Sequence, residues 1–384
     1  MKKALLLDTN VSSLPIYEFL IGKGYDTYVI GGNPNDCLAK YTTNYINCNY
    51  SNLELLENIL NTYNFDVIVP GCNDMSYISA TKVNGNNKFY GLDSTEVTET
   101  INNKNKFRNF ALSNGLHVPN IFSKEESYNS NNPLIVKPVD AYSGRGVSVI
   151  KNIDKDAIDI AINNAISFSS SKNYLIEEYV EGQLYSHTAF ISNKKILIDF
   201  IVIENGSTNE FTVDTSNVVI DFSESILNEI RTDIEHMSDV LNLVDGLVHT
   251  QFIKTENSFK ILEITRRCPG DLYSFLIEKT TGFKYAEYYT KPFINETLNV
   301  DDFVSTHNHI LRHTLSVSND TPFIGVQYNR ELNIDLSIPM NITGTELKGS
   351  PFGRIGLVFI KCNSNIELSD IKSNILDRTL YTIK

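Results

Sequence analysis

Lys137 stands between apolar residues in the segment IVKP and is followed at once by a glycine-rich tip, Asp140 to Gly146. A charge on such a strand requires a partner. A phosphate group is the natural one, and a salt-bridged lysine is the plainer alternative. The tip reads DAYSGRG and includes Ser143, Gly144 and Gly146. Its glycines permit backbone N–H groups to wrap around phosphate oxygens. It lacks the GxxxxGK[ST] pattern, so it is not a P-loop. On its own such a tip is a plain glycine turn; its neighbours give it a chemical reading.

Thirty-odd residues on comes YLIEEYVEG, an apolar strand ending in Glu177 and Glu178 with Val180 just beyond. Such an end suits a hinge where backbone groups pair with a base edge, and it equally suits a solvated acidic strand end. Gln251 and Glu263 lie twelve positions apart on successive strands, with a turn at Glu256-Asn257-Ser258 between them. A symmetric hairpin puts both on one face, where hard oxygen donors suit Mg²⁺ shared with phosphates. Arg266 and Arg267 follow, and one of them can neutralise a transferring phosphoryl group. A surface ion pair between Glu263 and an arginine is the competing reading. Asp271, just before the helix LYSFLIEK, reads plainly as its cap.

The elements that must position these residues begin with a βαβα rhythm. KALLLD, TYVIGG and FDVIVPG read as strands and LELLENILNTY as a helix between them, which implies a parallel sheet with right-handed crossovers. Its strands end in DTNVSS (8–13), GGNPND (31–36) and GCND (71–74), where ligands of such sheets sit. None of these is a dinucleotide fingerprint. A connecting helix over 103–114 leads to the strands NPLIVKP and GVSVI, a helix near 153–169 and a strand from Tyr174. From 185 the pattern is antiparallel, with a long helix near 222–242. In 301–384 only GLVFIKC reads clearly as a strand. Pattern shifts divide the α/β chain into 1–100, 101–183 and 184–384.

Composition narrows the function classes. The chain has 384 residues, of which 41% are hydrophobic, and a net charge of −13. That balance argues against a broad nucleic-acid or anionic-membrane surface, which needs clustered Lys and Arg. The first apolar run stops at Asp8, too short for a signal-peptide core. Five scattered cysteines without a CxxC pair fit reduced thiols, so the expected location is cytoplasmic.

Taken in order, these pieces resemble the ATP-grasp superfamily. Lys104 stands eleven positions before Gly115 in the turn GLHVP, as the first phosphate-binding lysine of these proteins does. The second lysine in IVKP, the glycine hairpin, the EEYVEG hinge and an E-x-N-x-R-like strand end, Glu263-Ile-Thr265-Arg-Arg267, complete the match across about 100–285. The resemblance implies an ATP-grasp fold with a Rossmann-like N-terminal domain, a small lid lobe and an antiparallel C-terminal lobe. It assigns Lys104 and Lys137 to the ATP phosphates, and Ser143, Gly144 and Gly146 to a lid over them. Glu177, Glu178 and Val180 fall at the adenine edge, Glu263, Gln251 and Thr265 at the metal, and Arg267 at the phosphorylated intermediate.

Three positions depart from the family pattern. Gln251 replaces the first metal acid, Thr265 the metal-binding asparagine, and Leu184 a glutamate for the ribose. The segment RRCPGDLY resembles the branches of amino-acid ligases and biotin carboxylase, and this implies that Asp271 binds an incoming ammonium or acts as a base, with the helix cap as the alternative. The implied activity is an ATP- and Mg²⁺-dependent ligase, with Mn²⁺ able to serve in the metal's place, that joins a small carboxylic acid to an amine through an acyl phosphate. The family-level expectation for assembly is a homodimer. The alternatives are a carboxylase-type or kinase-type enzyme of the same fold, or a non-catalytic nucleotide-binding protein.

Overall fold

The computed structural model describes residues 1–140, 144–209, 211–350 and 352–384. Strand β1 (Lys3–Leu7) runs parallel to β2 (Asp26–Gly31) on one side and to β4 (Val67–Pro70) on the other. A three-residue strand, β3 (Tyr45–Asn47), extends the sheet in the order β3-β2-β1-β4. The helix Leu53–Tyr63 starts where Asn52 accepts a hydrogen bond from Leu55 N–H. It stops at Asn64, whose left-handed φ of 52° breaks the ladder. Leu56 and Leu60, four apart, are its buried face.

Two short helices, Thr95–Asn102 and Lys104–Ser113, connect this sheet to the next lobe. Asn103 is extended between them, and its side chain caps the second helix by accepting from Lys106 N–H. The next lobe is a four-stranded antiparallel sheet, β5 (Ile121–Phe122), β6 (Leu134–Pro138), β7 (Ser148–Ile150) and β8 (Tyr174–Glu178), in the order β5-β8-β6-β7. The helix Lys155–Phe168 seals one face with Ile158, Ala161, Ile162 and Ala165.

The largest sheet is built from β9 (Gln183–Ser192), β10 (Lys195–Asn205), β11 (Thr215–Val219), β12 (Gly246–Lys254) and β13 (Phe259–Thr265), followed by β14 (His309–Ser316). After the two-stranded pieces β15 (Thr321–Pro322) and β16 (Val326–Tyr328) come β17 (Ile334–Pro339), β18 (Glu346–Leu347), β19 (Arg354–Cys362) and β20 (Tyr381–Ile383). Eight of these form one sheet in the order β13-β12-β9-β10-β11-β14-β19-β17. The C-terminal eighty residues therefore extend the same sheet. The helix Glu224–Val240 covers its back through Ile226, Ile230, Ile234 and Met237. Its front faces the N-terminal strand ends, and the small lobe overhangs the space between.

All five cysteines are free. Among the described residues, no helix is long and apolar enough to cross a membrane.

Candidate functional site

The three parts enclose a cleft of about 1300 Å³ lined by the strand-end loops (Asp8, Asn10, Asp36, Asp74), the small lobe (Lys137, Gly144, Glu178) and the large sheet (Glu204, Gln251, Glu263). The loops at 8–13, 31–36 and 71–74 thus reach the site, as carboxyl strand ends do in such sheets.

At one end, Lys104 opens the helix Lys104–Ser113 and Lys137 sits on β6; both line the cleft. Lys137 Nζ is ion-paired with Glu177. The other Glu177 oxygen accepts from Arg108 Nε at 2.5 Å, and Arg108 donates onward to the carbonyls of Ile261 and Leu262 at 2.9 and 3.1 Å. Arg108 and Glu177 are almost fully buried. Burial alone would raise the Glu177 carboxyl, but Lys137 and Arg108 outweigh it and hold it below the usual range. Burial lowers the Lys137 ammonium; Glu177 works against that, while Arg108 and Lys104 add to it. Two cations therefore share one carboxylate, and Lys104 adds a third charge beside them. The Glu177 side chain anchors Lys137 rather than presenting itself to an adenine edge. Glu178 accepts from Asn120 Nδ2 at 3.0 Å, and Val180 lines the cleft next to it.

Facing the lysines, β12 and β13 pair with Gln251 directly opposite Glu263, and the register slips just after Gln251. Glu263 is exposed into the cleft. Gln251 Nε2 donates to Glu204 Oε2 at 2.6 Å, and Glu204 Oε1 accepts from Ser186 Oγ at 3.0 Å. Burial raises the Glu204 carboxyl, and Arg312, Ser186 and Gln251 moderate the shift. Thr265 also lines the cleft, but its hydroxyl donates to Asp74 at 3.2 Å. Among the described residues no group of three or more His, Cys, Asp or Glu gathers as a metal centre. The donor set of one carboxylate and one amide beside a phosphate-sized cationic end fits a Mg²⁺ ion that takes most of its oxygens from phosphates and water.

The two adjacent arginines part company. Arg267 lines the cleft and pairs with Asp74, Nε to Oδ1 at 2.8 Å. Burial lowers its guanidinium, but Asp74 overrides this and the net shift is upward. Arg266 points the other way: its Nε meets Asp93 Oδ2 at 2.8 Å and its Nη1 the Leu247 carbonyl at 2.6 Å, fully buried and outside the cleft. The sequence expectation of Arg266 as a reacting residue is thereby corrected, because just past the end of β13 its guanidinium is held by Asp93 and by the carbonyls of Leu247 and Val244. Asp271 is no helix cap either; the cap position is Leu272, in a left-handed turn without a side-chain bond. Its carboxylate instead meets Arg354 Nη1 at 2.5 Å and Arg312 Nη1 at 3.5 Å.

Of the glycine tip, Ser143 lies outside the described residues. Gly144 lines the cleft with a φ of +68°, and a Cβ there would stand 2.6 Å from Phe211 Cβ. Gly146 has a φ of +73° and backs onto Phe168 instead.

Sequence reasoning missed Asp74, Glu204, Arg312, Arg354 and Arg108. The available signal was a charge inside an apolar strand at Glu204 (IVIEN) and Arg312 (HILRHTL), the same signal that exposed Lys137.

This sheet arrangement and cleft define an ATP-grasp fold, and residues 101–270 match the family model described as ATP-grasp domain. That stretch is somewhat under half of the chain. Among curated proteins it is similar to a D-alanine–D-alanine ligase of Helicobacter pylori (strain HPAG1), 31% identical over 164 residues, which is 40% of this chain and 45% of that one. The corresponding enzyme of Sulfurimonas denitrificans is 28% identical over 161 residues, 39% and 44% of the two chains. The chain thus spans less than half the length of these curated relatives in the matched region. Among solved structures, an L-amino acid ligase from Bacillus licheniformis superposes with a TM-score of 0.80 at 14% identity, covering 100% of this chain and 99% of that one. Phosphoribosylglycinamide synthetase from Anaerococcus prevotii gives 0.77 at 18% identity, covering 100% and 99%.

Proposed function

We propose that the protein is an ATP- and Mg²⁺-dependent ligase that phosphorylates a small carboxylic acid and joins it to an amine, with amino acids as the first substrates to test. What carries this reading is the set of charges that line one cleft. Lys104 and Lys137 line it together with the oxygen donors Gln251 and Glu263 of β12 and β13 and with Arg267, Arg312 and Arg354, the last two sharing Asp271.

Lys104 and Lys137 hold the phosphates, with the backbone near Glu178 and Val180 beside the base. Glu263 and Gln251 hold the metal, which when bound neutralises phosphate charge and orients the terminal phosphoryl group. Arg312 and Arg354 hold the acid's carboxylate, exchanging Asp271 for it. One carboxylate oxygen then attacks the terminal phosphorus of ATP in line, and the bond to ADP breaks. Arg267, fixed by Asp74, stabilises charge on the transferring group. The amine attacks the acyl carbon, inorganic phosphate leaves, and the amine's proton is lost to a nearby carboxylate such as Asp271. The protein acts by positioning and charge neutralisation, and Gly144 over the site helps exclude water.

The test is ADP release across amino acids and small carboxylates offered singly and in pairs, with mass analysis of products. ADP that forms with an acid and an amine together, accompanied by their condensation product, supports the ligase. ADP formed with bicarbonate alone, or a stable phosphorylated acid, shifts the assignment to a carboxylase or a kinase.

A further inference from the structure

A neutral Gln251 stands where the resemblance implies an acid, and the structure shows what stands behind it. In the large sheet β12 lies between β9 and β13, so Gln251 has Ser186 on one side and Glu263 on the other. Ser186 in turn pairs with Val202 of β10, and Glu204, two residues further, shares that face. Because Ser186 is small, Glu204 reaches over it and takes both the Ser186 hydroxyl at 3.0 Å and the Gln251 amide nitrogen at 2.6 Å.

This contact settles which end of the amide faces which way. A carboxylate has only acceptors, so the amide must give it the NH₂ end. The Gln251 carbonyl oxygen then lies on the opposite side, toward β13 and Glu263. Among the described residues that oxygen has no hydrogen-bond partner, and it is not sealed from solvent. An open oxygen donor therefore stands beside an exposed carboxylate, held in place by a second carboxylate one strand further in.

We propose that Glu204 is a positioning residue for the cation: it fixes the Gln251 amide with its oxygen toward Glu263 and supplies from behind the negative charge that an acid at 251 would supply directly. The pair Gln251–Glu204 thereby does the work of one carboxylate ligand. The proposal rests on the ATP–Mg²⁺ reading above, because only a cation beside Glu263 gives that orientation a use. It also predicts the effect of exchanging the two residues. In Glu204→Gln combined with Gln251→Glu, the charge moves to the cation and the hydrogen bond survives with donor and acceptor reversed.

The experiment titrates Mn²⁺, followed by the spectroscopic signal of the free ion, into the full chain at saturating ADP. Binding of ADP without metal is measured in parallel. Wild type should show one ADP-dependent Mn²⁺ site. Glu204→Gln should bind Mn²⁺ about tenfold to a hundredfold more weakly, the usual effect of losing a residue that orients a ligand, with ADP binding unchanged. The exchanged double variant should return to wild-type affinity or better. Wild-type Mn²⁺ affinity in Glu204→Gln overturns the proposal. So does a double variant that folds and binds Mn²⁺ tenfold more weakly than wild type, even if the single variant does not fold. An absent ADP-dependent site in wild type, or an unaltered one in Glu263→Gln, overturns the underlying metal assignment instead.

Discussion

Glu263 is the side chain on which the proposed chemistry depends most directly. It is a carboxylate exposed inside the cleft, with no lysine or arginine in an ion pair with it among the described residues. Its charge is therefore free for a cation. Removing that charge in Glu263→Gln should lower ADP formation by about a hundredfold or more, since metal stabilisation of a phosphoryl transition state is worth several kcal/mol. Steady-state ADP release at saturating Mg²⁺ measures this, and near-normal turnover would remove Glu263 from the metal site. That this residue lines the cleft was legible in the sequence, as it was for Lys104, Lys137 and Arg267, because each follows a local rule: a charge on or at the end of an apolar strand, or a fixed step before a glycine turn. Glu204 and Arg312 obey the same local rule and Arg354 opens an apolar strand, yet their meaning depends on which strands lie side by side. The chain brings β10 within reach of β12 only across β9, and β14 beside β19 only across some forty residues. Those pairings leave no trace in local spacing. Arg266 shows the opposite failure: adjacency to Arg267 suggested a shared role, but Asp93 holds the one and Asp74 the other.

At the scale of elements, Arg108 ties three of them together. From the connecting helix it reaches Glu177 on β8 and two carbonyls on β13. Arg108→Met leaves Glu177 with Lys137 but takes away the bond to the large sheet. Breaking a buried pair from one side costs about 3–5 kcal/mol, and the surviving lysine places this case near the lower end. A denaturation midpoint that reports a loss under about 1 kcal/mol would show that the triad does not lock the lobes. The glycine tip makes a second test. An alanine at 144 meets Phe211, another residue of the cleft wall, at 2.6 Å and must hold a φ of +68°, so the backbone at 144 or Phe211 has to shift. Gly144→Ala should raise KM for ATP several-fold while leaving the thermal midpoint nearly unchanged. An unaltered KM would mean that the tip does not cover the nucleotide. The elements differ in how openly the sequence declares them. Long apolar strands such as KALLL and RIGLVFIKC are plain. Strand β3, three residues in a polar run, is held only by pairing with β2, and periodicity carries no signal over so short a stretch.

For the whole molecule, two buried histidines of the large sheet are held well below the ordinary imidazole range, and this shapes how the fold responds to acid. His249 on β12 faces Tyr273, Arg267 and Asp74; burial first, then Arg267, lowers its pKa to about 3. His313 on β14 is hydrogen-bonded to Thr215 and Tyr381, and burial with Arg312 and Arg378 lowers it too, against Asp214. An unfolded histidine takes up a proton near pH 6.5, whereas these two stay neutral in the fold well below that. The unfolded chain then binds more protons, so stability falls as pH drops below about 6.5, by about 1.4 kcal/mol per pH unit for each histidine. Glu177 and Asp74 act in a lower window. Their folded values are depressed, so their contribution is present above about pH 4 and is lost only as the pH falls through those values. Between about pH 6.5 and 5 these two histidines should contribute a slope approaching about 2.7 kcal/mol per unit, with the raised Glu204 carboxyl working against it. His249→Leu should cut that slope to about half, whatever the substitution does to stability at neutral pH. Urea unfolding at half-unit intervals of pH gives both slopes. Equal slopes for the two proteins would show that the His249 proton is not the one the folded sheet refuses.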